Sequence, residues 1–101
     1  MMRLPLALLL LAAPALAAPP TSGTIVEIPE FASKFVKPRH VSIWLPPGYS
    51  AQGLPLRVLY MQDGQNIFDD ANAYGGKEWG VDEAVAALLA AHKLPPMIVV
   101  G

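Results

Sequence analysis

Residues 57–101 read RVLYMQDGQNIFDDANAYGGKEWGVDEAVAALLAAHKLPPMIVVG. Val58-Leu59-Tyr60-Met61 is short and almost wholly apolar. That pattern suits a central strand covered on both faces, as in a parallel sheet. Residues 62–80 form a long loop rich in Asp, Asn and Gly. Val81, Ala84, Val85, Leu88 and Leu89 then recur at helical spacing and predict an amphipathic helix to about residue 91. Asp82 and Glu83 stand in its first turn, where the helix dipole favours negative charge, and His92-Lys93 in its last, where positive charge is favoured. Pro95-Pro96 ends it, and residues 97–100 are the next buried strand. Strand, helix and strand in this order make a βαβ unit. The chain stops as the second of these strands emerges. The sequence therefore reads as the truncated opening of an α/β sheet, with bond-making residues expected beyond Gly101.

Upstream, residues 24–28 form a β-branched run ended by Pro29, a first strand. Residues 30–39 read as a loop or strand margin, with Phe31 and Phe35 packing onto the sheet. Residues 40–45 alternate, with Val41, Ile43 and Leu45 on one face and Ser42 and Trp44 on the other. Period two over six residues predicts a strand with one buried face. Pro46-Pro47-Gly48-Tyr49 stops it, because proline cannot donate to a ladder. These first strands are expected to pair antiparallel, ahead of the βαβ unit.

Residues 1–17 are expected to be a signal peptide. Arg3 supplies one positive charge, residues 4–13 an apolar run too short to span a bilayer, and Ala15-Leu16-Ala17 a small-x-small cleavage site. Cleavage after Ala17 places the protein outside the cytoplasm, secreted or periplasmic. Residues 18–23 then form a Pro/Ser/Gly tether, and residues 24–101 a single partial domain. A chain this small is marginal on its own core, and with no Cys it cannot be a disulfide scaffold. The net charge of −1 points to neither nucleic acid nor an anionic membrane as partner.

The turn Asp63-Gly64-Gln65-Asn66 follows directly on a predicted buried strand. In open α/β sheets such loops build the ligand crevice. Gly64, at positive φ, would aim the following N–H groups into that crevice, as an oxyanion hole requires. Asp-Gly is also a common plain turn. Residues 48–53 approach the nucleophile-elbow pattern Gly-x-Ser-x-Gly, but Gln52 replaces the second Gly and prolines precede it, so Ser50 reads as a loop serine. His40 and His92 lack a Ser or Cys partner at motif spacing and read as structural or surface residues. Asp63, Asp69, Asp70 and Asn72 are oxygen-rich but lack calcium-loop spacing, and read as solvated turn residues. No metal or cofactor is expected.

Taken together, PRHVSIWLPPGY from Pro38, LRVLYMQDGQNIFD from Leu56 and EWGVDEA from Glu78 resemble the N-terminal third of the Putative esterase family. This is the esterase D-like branch of the α/β-hydrolases, with feruloyl, acetyl-xylan and siderophore esterases among its members. The resemblance implies the front of an α/β-hydrolase sheet and a secreted serine carboxylic-ester hydrolase working through an acyl-enzyme on a small-molecule or glycan-linked ester. It places the nucleophile, acid and histidine after later strands, outside this chain, so the polypeptide alone is expected to be inactive. It carries over one catalytic element, the loop Asp63-Gly64-Gln65, with the backbone N–H of Gln65 as first oxyanion donor and that of Asn66 as second. A different class remains open, a non-catalytic secreted module that binds glycan or a partner through Trp44 and Trp79.

Overall fold

The computed structural model describes residues 23–101. The expected signal peptide and nearly all of the tether lie outside the described residues. The order is β1 (Thr24–Phe31), β2 (Arg39–Leu45), β3 (Arg57–Tyr60), α1 (Val81–Ala90) and β4 (Met97–Val100), with 3-10 turns at Gly64–Asn66 and Tyr74–Gly76. The strands form one sheet in the order β1-β2-β4-β3. β1 pairs antiparallel with β2, β2 antiparallel with β4, and β3 parallel with β4. This is the expected α/β arrangement, two antiparallel strands followed by a β-α-β segment. Among the described residues no helix is long and apolar enough to cross a membrane.

The core is Trp44, Ile67, Phe68, Val85 and Val99. Trp44 of β2 stands opposite Val99 of β4, and Val85 comes from α1. Ile67 and Phe68 reach the core from the loop after β3. The alternation in β2 is present, but the buried face is the opposite of the expected one. Ser42 and Trp44 are buried, while Val41, Ile43 and Leu45 are only half-buried. The loop and α1 supply the core partners of Trp44, so the covering elements decide which face is buried.

Other expectations change as well. Pro29 does not end β1, which continues to Phe31 after its register with β2 shifts between Ile28 and Phe31. Proline is tolerated there because β1 is, among the described residues, an edge strand. Phe31 and Phe35 are exposed rather than packed on the sheet, Phe35 to 93%. β3 is also an edge strand among the described residues. Val58, Leu59 and Tyr60 are exposed, and β4 takes the inner position. α1 ends at Ala90, so His92 and Lys93 lie beyond its last turn. His92 adopts a left-handed conformation (φ 56°). Its N–H donates to the Leu89 carbonyl at 3.0 Å and that of Lys93 to Leu88 at 2.9 Å. These two bonds form a Schellman cap, with histidine where glycine is usual.

Candidate active site

The parallel pair β3–β4 places the turn after β3 beside the end of β4. Because β2 runs antiparallel to β4, the beginning of β2 lies at the same edge. Ser42 and Gly101 exchange backbone hydrogen bonds of 2.8 and 2.9 Å and extend the ladder by one pair. Ser42 also stands opposite Glu27 of β1. The register thus brings Glu27, Ser42, Gly101 and the turn after β3 into one row.

The turn is built on close backbone contact. The left-handed residue is Asp63 (φ 57°, ψ 51°), and not Gly64 as expected. Asp is among the few side chains that visit this region readily. The need for glycine at 64 is steric. A Cβ there would stand 2.9 Å from the Gly101 oxygen and 3.2 Å from its Cα. In turn, a Cβ on Gly101 would meet the Ile67 side chain at 2.5 Å and the Gly64 Cα at 3.0 Å. Gly64 of the turn packs on Gly101 at the end of β4, with buried Ile67 beside them.

Backbone bonds then assign the donors. Asn66 N–H donates to the Asp63 carbonyl at 2.9 Å and Ile67 N–H to that of Gly64 at 3.3 Å. The Asn66 N–H, expected as second donor, is engaged within the turn. The Gln65 N–H meets no acceptor among the described residues. Asn66 instead organises the long loop. Its side-chain oxygen accepts the Tyr74 N–H and its carbonyl accepts the Trp79 N–H, both at 2.8 Å. Asp69 accepts the Ala71 N–H at 2.9 Å and the Asn72 amide at 2.8 Å, while Asp70 accepts the Glu78 N–H at 2.8 Å. These two acids tie the turns of the long loop together.

Gly64, Gln65 and Gly101 line a cleft of about 470 Å³ whose other walls include Glu27, His40, Ser42, Phe68 and Asp69. Sequence reading did not single out the polar row facing the turn. Glu27 Oε2 accepts the Ser42 hydroxyl at 2.6 Å and lies 2.5 Å from His40 Nε2. Partial burial acts to raise the Glu27 pKa, but hydrogen bonds from Ser42 and His40 outweigh it and hold the carboxyl below its ordinary value. Only the three-dimensional register joins these residues, which is why no linear motif announced them. The row is not a nucleophilic triad. Ser42 donates to the carboxylate rather than to the imidazole, so His40 is not placed to take its proton.

The remaining candidates stay apart from this chemistry. The Ser50 hydroxyl bonds Gln52 at 3.2 Å within its own loop. His92 caps α1. Trp44 is fully buried and offers no platform to a glycan, whereas Trp79 is 55% exposed. Among the described residues the Gln65 N–H has no acceptor, and Gln65 lines the cleft, where such a donor would be available to a bound oxygen.

Comparison with curated proteins and with solved structures returns no match. The family model described as Putative esterase matches residues 32–101, more than half of the chain and all of β2, β3, α1 and β4. The matched segment contains the turn, the glycine contact and most of the cleft wall, and on this match the chain belongs to the Putative esterase family.

Proposed function

We propose that the chain is the N-terminal part of a secreted serine carboxylic-ester hydrolase, and that the 63–66 turn supplies one arm of its oxyanion hole. The observation that carries this reading is the Gln65 N–H. Among the described residues it has no acceptor, in a turn packed against Gly101 that lines the cleft. Family membership supports ester hydrolysis as the reaction class. On this reading a serine beyond residue 101 attacks the acyl carbon. The carbonyl oxygen, negative in the tetrahedral intermediate, receives the Gln65 hydrogen bond. Collapse expels the alcohol, and water then releases the acid from the acyl-enzyme. The missing members would follow in the order nucleophile, acid, histidine on the later part of an α/β-hydrolase sheet. The open edge and exposed apolar residues of β3 are where the next strand would pair. Residues 1–17 would direct export.

The test is steady-state hydrolysis of a short p-nitrophenyl ester by the full-length protein. Turnover that is lost when the Gly64–Gly101 contact is disturbed in a folded variant supports the reading. A folded full-length protein without esterase activity on acyl chains of graded length overturns it. Full burial of Trp44 denies a glycan-binding module one of its two aromatic platforms.

A further inference from the structure

Glu78, Asp82 and Glu83 converge where the long loop enters α1. One carboxylate oxygen from each lies within 4.8 Å of the others. Local backbone geometry brings them together. Gly80 is left-handed (φ 68°) at the helix N-cap and turns the chain sharply, so that Glu78 Oε2 accepts the Gly80 N–H at 3.3 Å. Asp82 and Glu83 follow in the first helical turn. The Glu78 N–H is held by Asp70, which fixes the segment from the other side.

Asp82 supplies the second observation. It is only 7% exposed, and its Oδ1 is buried with no hydrogen-bond partner among the described residues. Nor does any ammonium or guanidinium among the described residues lie within ion-pair distance of the three acids. A buried, unpaired carboxylate beside two others is unfavourable twice over, through lost solvation and through like-charge repulsion. A cation at the shared point relieves both.

We propose that Glu78, Asp82 and Glu83 form a binding site for a hard divalent cation of the calcium class. All three donors are oxygens, which suit hard ions rather than the softer transition metals. The donors come from an irregular segment and a helix start, and Glu83 faces solvent. Water can therefore complete the six to eight oxygens that calcium accepts in irregular geometry, whereas magnesium demands a near-ideal octahedron. None of the three acids lines the cleft beside Gln65. The site acts as a clamp between the loop and α1.

Trp79 provides a reporter, since it adjoins Glu78 and its indole can sensitise bound terbium. Metal-stripped full-length protein is titrated with Tb³⁺, read by luminescence excited through the indole, and its Tm is measured with and without Ca²⁺. The expected result is a saturable signal competed by Ca²⁺, and a Tm that rises with Ca²⁺. Asp82→Asn and Glu78→Gln should each abolish both effects. Trp79→Phe should dim the luminescence but keep the Ca²⁺-dependent rise in Tm. Glu83→Gln alters an exposed side chain, so it keeps the test decisive if the buried variants misfold, and it should weaken binding. The proposal is overturned if millimolar Ca²⁺ leaves Tm unchanged and no saturable signal appears. It is equally overturned if the signal survives in folded Asp82→Asn protein, or if folded Glu83→Gln protein binds Tb³⁺ as tightly as wild type.

Discussion

A methyl group at position 64 would press on the backbone of Gly101, 2.9 Å from its oxygen and 3.2 Å from its Cα. The contacting atoms are backbone, with no flexible side chain to give way, so even Gly64→Ala should push the turn after β3 away from the end of β4. Overpacking of this kind costs about 1–3 kcal/mol, and it turns the Gln65 N–H out of line. Gly64→Ala should therefore lower both Tm and kcat, with kcat falling toward the hundred- to thousand-fold loss typical of one missing oxyanion donor. Gln65→Ala keeps the N–H and should change kcat only modestly. Equal activity for the two folded variants would show that the turn does not serve as the donor. Asp82 supports a different residue-scale prediction. Burial, with Glu83 alongside, pushes its carboxyl from 3.8 up to about 7. An acid whose folded value is raised holds its proton while the unfolded chain has lost it. Stability therefore falls as pH rises through this window, from about 4 to about 7, and levels off above it. With a chelator present, Asp82→Asn should flatten the dependence of Tm on pH across that range and raise Tm at pH 8. A variant whose pH profile matches wild type would contradict the assignment.

At the scale of elements, α1 ends on a histidine in a conformation that costs an L-residue roughly 1–2 kcal/mol. His92→Gly should relieve part of this and stabilise the protein by about 1 kcal/mol in urea denaturation, with the Schellman bonds preserved. In β2, Trp44→Ala removes the largest fully buried side chain and should cost about 3–5 kcal/mol. The same elements show what sequence reading could and could not reach. Helical spacing located α1, and alternation located β2, because periodicity reports local geometry. Alternation did not reveal which face of β2 is buried, since three aliphatics oppose one serine and one indole, and the covering element decides. The apolar run of β3 marked a strand but not its neighbours, so its edge position went unseen. Ile67 and Phe68 lack any period because they sit in a loop. Two large apolar residues amid polar ones were the available sign of their burial. The Asp63–Asn66 turn was legible from its place after a strand. Its mechanics were not, because the Gly64–Gly101 contact joins residues far apart in sequence.

Across the whole molecule, the pairing of β1, β2 and β4 assembles the polar wall opposite the turn, and that wall is sensitive to acid. Glu27 is held below its ordinary pKa by Ser42 and His40, against the opposing effect of its own burial. A depressed acid stabilises the fold above its unfolded value and loses that contribution as pH falls through the folded one. Glu27→Gln should thus lower Tm at neutral pH, with its gap from wild type narrowing as pH falls below the ordinary glutamate value of 4.5; a constant gap would contradict the linkage. Among the described residues, the sheet's other edge, β3, presents unpaired backbone and exposed Val58, Leu59 and Tyr60, and an edge of this kind invites pairing. The central claim is that this fold is the front of a serine esterase whose nucleophile lies further along the chain. Labelling of the full-length protein with a fluorophosphonate, followed by peptide mapping, tests it most directly. The account predicts one modified serine, located beyond residue 101 in a Gly-x-Ser-x-Gly sequence, with Ser22, Ser33, Ser42 and Ser50 unmodified and the labelled protein inactive on p-nitrophenyl esters. Labelling at Ser42 or Ser50, or a folded protein that takes up no label, would contradict it.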